Sequence, residues 1–294
     1  MVKILLTGAS GHIGRNLYKK LEIEGHSVKA ISRFPDKNLG FVYGNLSESF
    51  DWIELLKNID VVIHCGALVH QMKPNKQTID AFYNINFKGS VRLALQASQI
   101  VKRFIFISTL KVHGEEFGDN EISADDIQKP DDDYSRSKYL AEKELINLAQ
   151  KTNMEYVIIR PPLVYSSELT GNLRLLSKLI KLGLPLPFGS LNRNKRSLVS
   201  SKNLVDFISL CVSSNGAANQ AFIVRDQQMY NTKEIVKLVG KITKRNVHLF
   251  SVPESLLRII FRILNKEYLN SRLFGNQLTN IRKNFDFLGW VPKD

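Results

Sequence analysis

Tyr134 and Lys138 stand four residues apart at the start of a segment with helical periodicity. On a helix that spacing puts both side chains on one face and lets an ammonium sit near a phenol. A free phenol has a pKa of about 10, too high for ready proton exchange at neutral pH, and a neighbouring cation lowers it by favouring the phenolate. Tyr134 is therefore a candidate general acid and base. The same pair also arises on helix surfaces with no chemistry attached, so the rest of the set decides its meaning. The apolar run Arg103-Phe104-Ile105-Phe106-Ile107 delivers Ser108 and Thr109 to the C-terminal end of a strand. Ligands bind at that edge of an open α/β sheet, where a hydroxyl can hydrogen-bond a reacting oxygen as its charge changes.

A second constellation lies near residue 1: Thr7-Gly8-Ala9-Ser10-Gly11-His12-Ile13-Gly14 follows an apolar strand and opens a helix. Glycines at this spacing allow a tight turn, close backbone approach to a pyrophosphate and close packing of helix on strand. The helix N-terminus that follows offers unpaired N–H groups and a positive dipole end to phosphates. The next strand ends Ala30-Ile31-Ser32-Arg33, without the carboxylate that would accept bonds from a ribose 2′-hydroxyl. A guanidinium there suits a 2′-phosphate, which favours NADP(H) while leaving NAD(H) open; Arg33 as a solvated loop charge is the plainer alternative.

These residues must be positioned by a sheet. Apolar runs suited to buried parallel strands recur at Lys3-Thr7, Val28-Ser32, Phe41-Tyr43, Val61-Cys65, Phe104-Ser108 and Val157-Arg160, with helical segments between most of them. The alternation predicts an α/β chain with a doubly wound parallel sheet. After Arg160 the prolines 161, 162, 185 and 187 break the rhythm. Residues 1–160, with parts of 198–224 added, are expected to form the dinucleotide domain, and residues 161–294 mainly a smaller α/β substrate lobe. The acidic stretch Asp125 to Asp133 reads as a solvated loop before a helix.

Composition narrows the class. The chain has 294 residues, is 44% hydrophobic and carries a formal charge of +13. Lys and Arg are spread along the chain, which ranks a diphosphate-bearing ligand ahead of an anionic membrane surface, and nucleic acid last. The opening Met1 runs straight into a strand without a secretion signal, and eighteen consecutive apolar residues occur nowhere, so no transmembrane segment is expected. Cys65 and Cys211 form neither a disulfide framework nor a metal cluster and read as two buried thiols of a cytoplasmic protein. Leu256 to Leu264 (LLRIIFRIL) has amphipathic spacing with two arginines. It is expected to be a buried helix of the lobe, a membrane or partner surface being the other option.

The set T-G-A-S-G-H-I-G, H-C-G-A-L, S-T-L-K-V-H-G, Y-S-R-S-K and I-I-R-P-P-L-V-Y resembles the extended short-chain dehydrogenases acting on nucleotide sugars, over nearly the whole chain. The resemblance implies a Rossmann-type fold and a catalytic set of Thr109, Tyr134 and Lys138, with His113 where that family usually has a tyrosine. It implies further that Asn86 supports the active site, that His64 to Ala67, including Cys65 and Gly66, lie along the cofactor, and that Asn45 and Leu46 stand near the adenine. Gly8, Ser10, Gly11, His12, Ile13, Gly14, Ser32, Arg33, Ser108 and Pro161 complete the expected cofactor contacts, together with Tyr134 and Lys138.

The family's dehydratases carry an acidic pair after the catalytic threonine, whereas Leu110 and Lys111 stand there, which argues against dehydration. In the C-terminal half R-P-P-L-V-Y, G-N-L-R-L-L, G-L-P-L-P-F-G-S-L-N, R-S-L-V, N-L-V-D and L-G-W-V-P look similar to the bacterial UDP-N-acetylquinovosamine dehydrogenases. That similarity implies a 4-ketoreductase of UDP-2-acetamido-2,6-dideoxy-hexos-4-ulose serving surface polysaccharide such as lipopolysaccharide O-antigen. A UDP-hexose 4-epimerase is the alternative, and a catalytically silent NAD(P)-binding scaffold or sensor is a third. In the same matching Asn172 and Arg196 hold the UDP diphosphate, Phe188 packs on uracil and Arg272 adds a phosphate contact, beside Thr109 and Tyr134 at the sugar. A homodimer through the helices of 78–100 and 134–151 is possible, and no residue requires it.

Overall fold

A computed structural model describes residues 1–34, 40–47, 49–68, 76–169 and 171–293. Its strands are β1 (Lys3–Thr7), β2 (Ser27–Ser32), β3 (Val42–Tyr43), β4 (Val61–His64), β5 (Arg103–Ile107), β6 (Glu155–Arg160), β7 (Leu163–Tyr165), β8 (Arg196–Ser200), β9 (Gln220–Ile223) and β10 (Met229–Tyr230). Its α-helices are α1 (His12–Ile23), α2 (Ile53–Leu56), α3 (Lys76–Phe82), α4 (Ser90–Ala97), α5 (Asp133–Lys151), α6 (Gly171–Lys181), α7 (Ser201–Ser213), α8 (Thr232–Thr243), α9 (Glu254–Ile263), α10 (Leu269–Phe274) and α11 (Arg282–Leu288).

Seven strands form one parallel sheet in the order β3-β2-β1-β4-β5-β6-β9. The order reverses between β1 and β4, so the chain leaves their C-terminal ends in opposite directions and opens a crevice there. Both faces of the sheet are covered, which is why the strands read as continuous apolar runs rather than as alternating ones. On one face Ile4 and Leu6 pack with Leu17 and Leu21 of α1 and with Leu204, Phe207 and Ile208 of α7. On the other face Leu5, Val62, Phe104 and Phe106 pack with Leu93 and Ala97 of α4 and with Ala141 and Leu145 of α5. The doubly wound expectation therefore holds, with strand bounds shifted by one or two residues.

A smaller sheet, β10-β8-β7, pairs β7 with β8 in parallel and β8 with β10 antiparallel. Leu173 and Ile180 of α6, Leu198, and Ile235, Val236 and Val239 of α8 make its core. Two expectations fail here. The segment read as a helix across 78–100 is interrupted by a π-helical stretch at Tyr83–Gly89, where a Cβ on Gly89 would land on the Leu46 carbonyl oxygen. And α9 is not buried: Leu257 is its only buried residue, while Leu256, Ile259, Ile260 and Ile263 are exposed. Apolar residues run most of the way round this helix, so periodicity alone cannot say which of them face the protein.

Candidate active site

The crevice between β1 and β4 is built from the loops that leave them. Gly8 has φ +71°, and a Cβ there would meet the Gly66 nitrogen at 2.7 Å and the Cys65 carbonyl carbon at 2.8 Å. A Cβ on Gly14 would collide with the Gly8 carbonyl, so both glycines are required by close approach of backbone to backbone. The Gly11 N–H donates to the Gly8 carbonyl at 3.0 Å and closes the turn. The α1 N-terminus has no side-chain cap and no acidic residue in its first turn, leaving its N–H groups and dipole open to an anion. His12 Nε2 and Ser108 Oγ are buried there without a hydrogen-bond partner among the described residues. A cradle that excludes side chains, an open helix N-terminus and two orphaned polar atoms fit a dinucleotide.

Beneath the crevice the strand ends are tied together: Thr7 Oγ1 and His64 Nδ1 lie 2.5 Å apart, and His64 Nε2 lies 2.8 Å from Ser90 Oγ. Burial, and after it the charge of Lys138, pushes the His64 imidazole down to about 3, so it is neutral. Ser10 accepts a hydrogen bond from the Ser32 hydroxyl at 3.0 Å, which joins the phosphate loop to the end of β2. Arg33 is exposed there, its guanidinium 5.9 Å from the Phe34 ring centre. Asn45 Oδ1 accepts from the Ser47 N–H and hydroxyl, and Asn45 and Leu46 are half-buried. Cys65 is half-buried, not fully so as its sequence context implied, and Cys211 is buried. Ile13 lies at the start of α1 beside this crevice, and Pro161 follows β6 at the C-terminal edge of the same sheet, its carbonyl accepting from the Leu110 N–H.

Asn86 lies on the π-helical stretch, a feature frequent at functional sites. It is fully buried, accepts from the Leu68 N–H at 2.7 Å, and donates to the Leu68 carbonyl at 2.9 Å and to Ser137 Oγ at 3.3 Å. The amide thereby joins the loop after β4 to α5, the helix that carries Tyr134 and Lys138. Asp132 caps that helix, accepting from the Ser135 N–H at 2.6 Å in a capping box. It also pairs with Lys111 at 3.1 Å, so this end of the acidic stretch is structural rather than merely solvated.

Lys138 is 1% exposed, with Nζ 3.9 Å from the Phe106 ring centre. Burial pushes it down to about 7, against the opposing pull of Glu142. Tyr134, packed edge-on against Phe82, is pushed up to about 12 by burial and then by the Asp132 charge. The expectation that Lys138 lowers the phenol pKa is thus not met in this geometry, where withdrawal from water and the Asp132 charge both disfavour the phenolate. Thr109, at 9% exposure, accepts from the Lys111 N–H at 3.3 Å, and the strand end is fixed by Ser108 N–H to Ile159 and Leu110 N–H to Pro161 carbonyl bonds. His113 is buried and meets Arg160 at 3.0 Å, while Arg160 is paired with Glu142 at 2.6 Å. Burial and Arg160 push His113 down to about 4.

On the lobe side Arg196 and Arg272 do converge, but on a carboxylate. Glu115 lies 3.2 Å from Arg196, 3.9 Å from Arg272 and 2.5 Å from Lys111. Burial opposes ionisation of Glu115, yet these cations outweigh it and hold the group below its usual range. Arg196 also donates to the Ser271 and Arg272 carbonyls. Asn172 is exposed in the first turn of α6, and Phe188 is half-buried against the lobe core. Sequence reasoning missed Glu115, Ser137 and the Thr7-His64-Ser90 chain. Only His64 carried a signal, its place in the H-C-G-A-L segment.

Residues 4–224 match the model of the NAD dependent epimerase/dehydratase family. The chain belongs to that family. UDP-glucose 4-epimerase of Vibrio cholerae is 39% identical over 98% of this family member and 90% of that protein. The fold is shared with UDP-glucuronic acid 4-epimerase from Bacillus cereus in complex with NAD, at a TM-score of 0.79 and 20% identity over 100% and 92% of the two chains. It is shared too with a short-chain dehydrogenase/reductase superfamily protein from Agrobacterium tumefaciens with bound NAD, at 0.78 and 18% over 99% and 93%. The chain is accordingly an enzyme of the NAD dependent epimerase/dehydratase type.

Proposed function

We propose that the chain is a 4-epimerase of a UDP-hexose that keeps its NAD through the catalytic cycle. The observation that carries this reading is the 39% identity, over nearly the whole of both chains, to the Vibrio cholerae UDP-glucose 4-epimerase. In this reading residues 1–160, with part of 198–224, hold the dinucleotide and the lobe of 161–294 holds the UDP-sugar. The phosphate loop Gly8, Ser10, Gly11, His12 and Gly14 and the α1 N-terminus take the diphosphate, and Ser108 supplies a buried hydroxyl. NAD supplies a hydride acceptor and donor for sugar C4.

The residues of the chain then have defined tasks. Tyr134 takes the proton of the C4 hydroxyl as C4 is oxidised and returns it when C4 is reduced from the other face, so no cofactor is consumed. Thr109 hydrogen-bonds the same oxygen, and Lys138 would bind the nicotinamide ribose. Asn86 holds the helix of Tyr134 against the loop after β4. Asn172, Arg196 and Arg272 take the UDP diphosphate, which must compete with Glu115 for the two guanidinium groups, and Phe188 packs on the base.

Net reduction of a 4-keto-6-deoxy UDP-sugar with NADPH is the second reading, favoured by one observation: Arg33, not a carboxylate, stands exposed at the end of β2. The two separate on one experiment. Purified enzyme is incubated with UDP-glucose, and separately with UDP-N-acetylglucosamine, without added cofactor, and the nucleotide sugars are resolved chromatographically. Epimers approaching equilibrium support the proposal. Absence of epimer, with one-for-one loss of NADPH on the 4-keto sugar, would replace it with the reductase.

A further inference from the structure

The charge of this protein is not evenly placed. Residues 1–170 carry 21 Lys and Arg against 21 Asp and Glu, whereas residues 171–294 carry 20 against 7, so the whole +13 lies in the second part. A diphosphate needs two or three cations, and Arg196 and Arg272 are already set against Glu115. An excess of this size makes a field that draws an extended anionic partner.

The same part of the chain exposes an apolar stripe. Along α9, Leu256, Ile259, Ile260 and Ile263 follow the i, i+3, i+4, i+7 spacing of one helix face, at 47%, 52%, 37% and 74% exposure. Leu264, just beyond the helix, is 54% exposed. Leu257, 2% exposed, turns the side of the helix flanking the stripe into the protein. Arg258 and Arg262 lie off the stripe, paired with Glu254 at 2.7 Å and Glu267 at 3.2 Å. The attraction therefore comes from the lobe as a whole, and the insertion from the stripe.

The two features together select the partner. Nucleic acid would satisfy the charge and leave the stripe in water, and a second copy of the chain would cover the stripe while setting one +13 lobe against another. An anionic bilayer satisfies both, taking aliphatic side chains at the headgroup boundary and Lys and Arg at the lipid phosphates. We propose that α9 is a peripheral docking helix that holds the enzyme on an anionic phospholipid membrane, without spanning it. No described helix is long and apolar enough to cross.

The test is flotation of the purified full chain with phosphatidylcholine vesicles and with vesicles containing about 30% phosphatidylglycerol, at low and at high salt. The chain is expected to float with the anionic vesicles at least about tenfold more than with the neutral ones, and to be released by salt. Ile259→Gln/Ile263→Gln should abolish flotation while leaving the melting temperature and cofactor binding unchanged. Arg262→Gln/Lys266→Gln, which leaves the stripe intact, should weaken it several-fold. Equal or absent flotation with the two vesicle types would overturn the proposal. So would undiminished flotation of the isoleucine variant, or a wild-type dimer in sedimentation velocity that this variant dissolves.

Discussion

Tyr134 and Lys138 show what spacing conveys and what it leaves out. Their separation, the hydroxyl of Thr109 and the glycines of the phosphate loop are local patterns, so the sequence alone displays them. It does not display their energetics, because burial is set by Phe82 and Phe106, far away in sequence, and it raises the phenol and depresses the ammonium. Replacing Tyr134 by Phe should lower turnover by about 10³-fold or more and leave NAD binding, measured by calorimetry, nearly intact. Lys138 titrates near 7 in the folded chain and near 10.5 unfolded, so between pH 7 and 9 the unfolded state binds more protons and this group makes stability rise with pH. Lys138→Met removes a buried, desolvated cation. It should stabilise the fold at pH 7 by about 1–3 kcal/mol while abolishing activity, and urea unfolding at pH 7 and 9 should show a smaller rise for the variant than for the wild type.

The central strands were readable because a sheet covered on both faces needs apolar runs, and β1, β4, β5 and β6 have them, while Lys29 interrupts β2. The π-helical stretch was not readable, since it answers to a contact of Gly89 with Leu46 and to the amide of Asn86, which spans 51 residues to reach Ser137. Asn86→Ala should cost about 2 kcal/mol, because it strands the Leu68 peptide groups in a buried setting. It should also lower turnover more than NAD affinity, by loosening α5 against the loop after β4. Urea unfolding together with steady-state kinetics would check both. In α9 the reading failed for the opposite reason: too many apolar positions, with no way to tell the face turned inward by Leu257 from the face left in water.

At the scale of the molecule, the last residues of the chain fold back onto the large sheet. Trp290 is 6% exposed, lies 4.9 Å edge-on from Phe207 and donates to Asp206 at 3.1 Å, and Lys293 N–H donates to Asn203 at 3.0 Å. Trp290→Ala should destabilise by about 3–5 kcal/mol, read as a lower urea midpoint with the unfolding slope unchanged. The contacts of this tail, like those of Glu115 with Arg196, join residues about 80 apart, a range over which spacing carries no information. The central claim is that hydride leaves and returns to the same sugar. The most direct measurement is to give the enzyme UDP-glucose deuterated at C4 in ordinary water and follow the label by NMR and mass spectrometry. The account predicts UDP-galactose retaining the deuterium at C4, with no added cofactor; loss of the label, or its stoichiometric appearance on free nicotinamide dinucleotide, would contradict it.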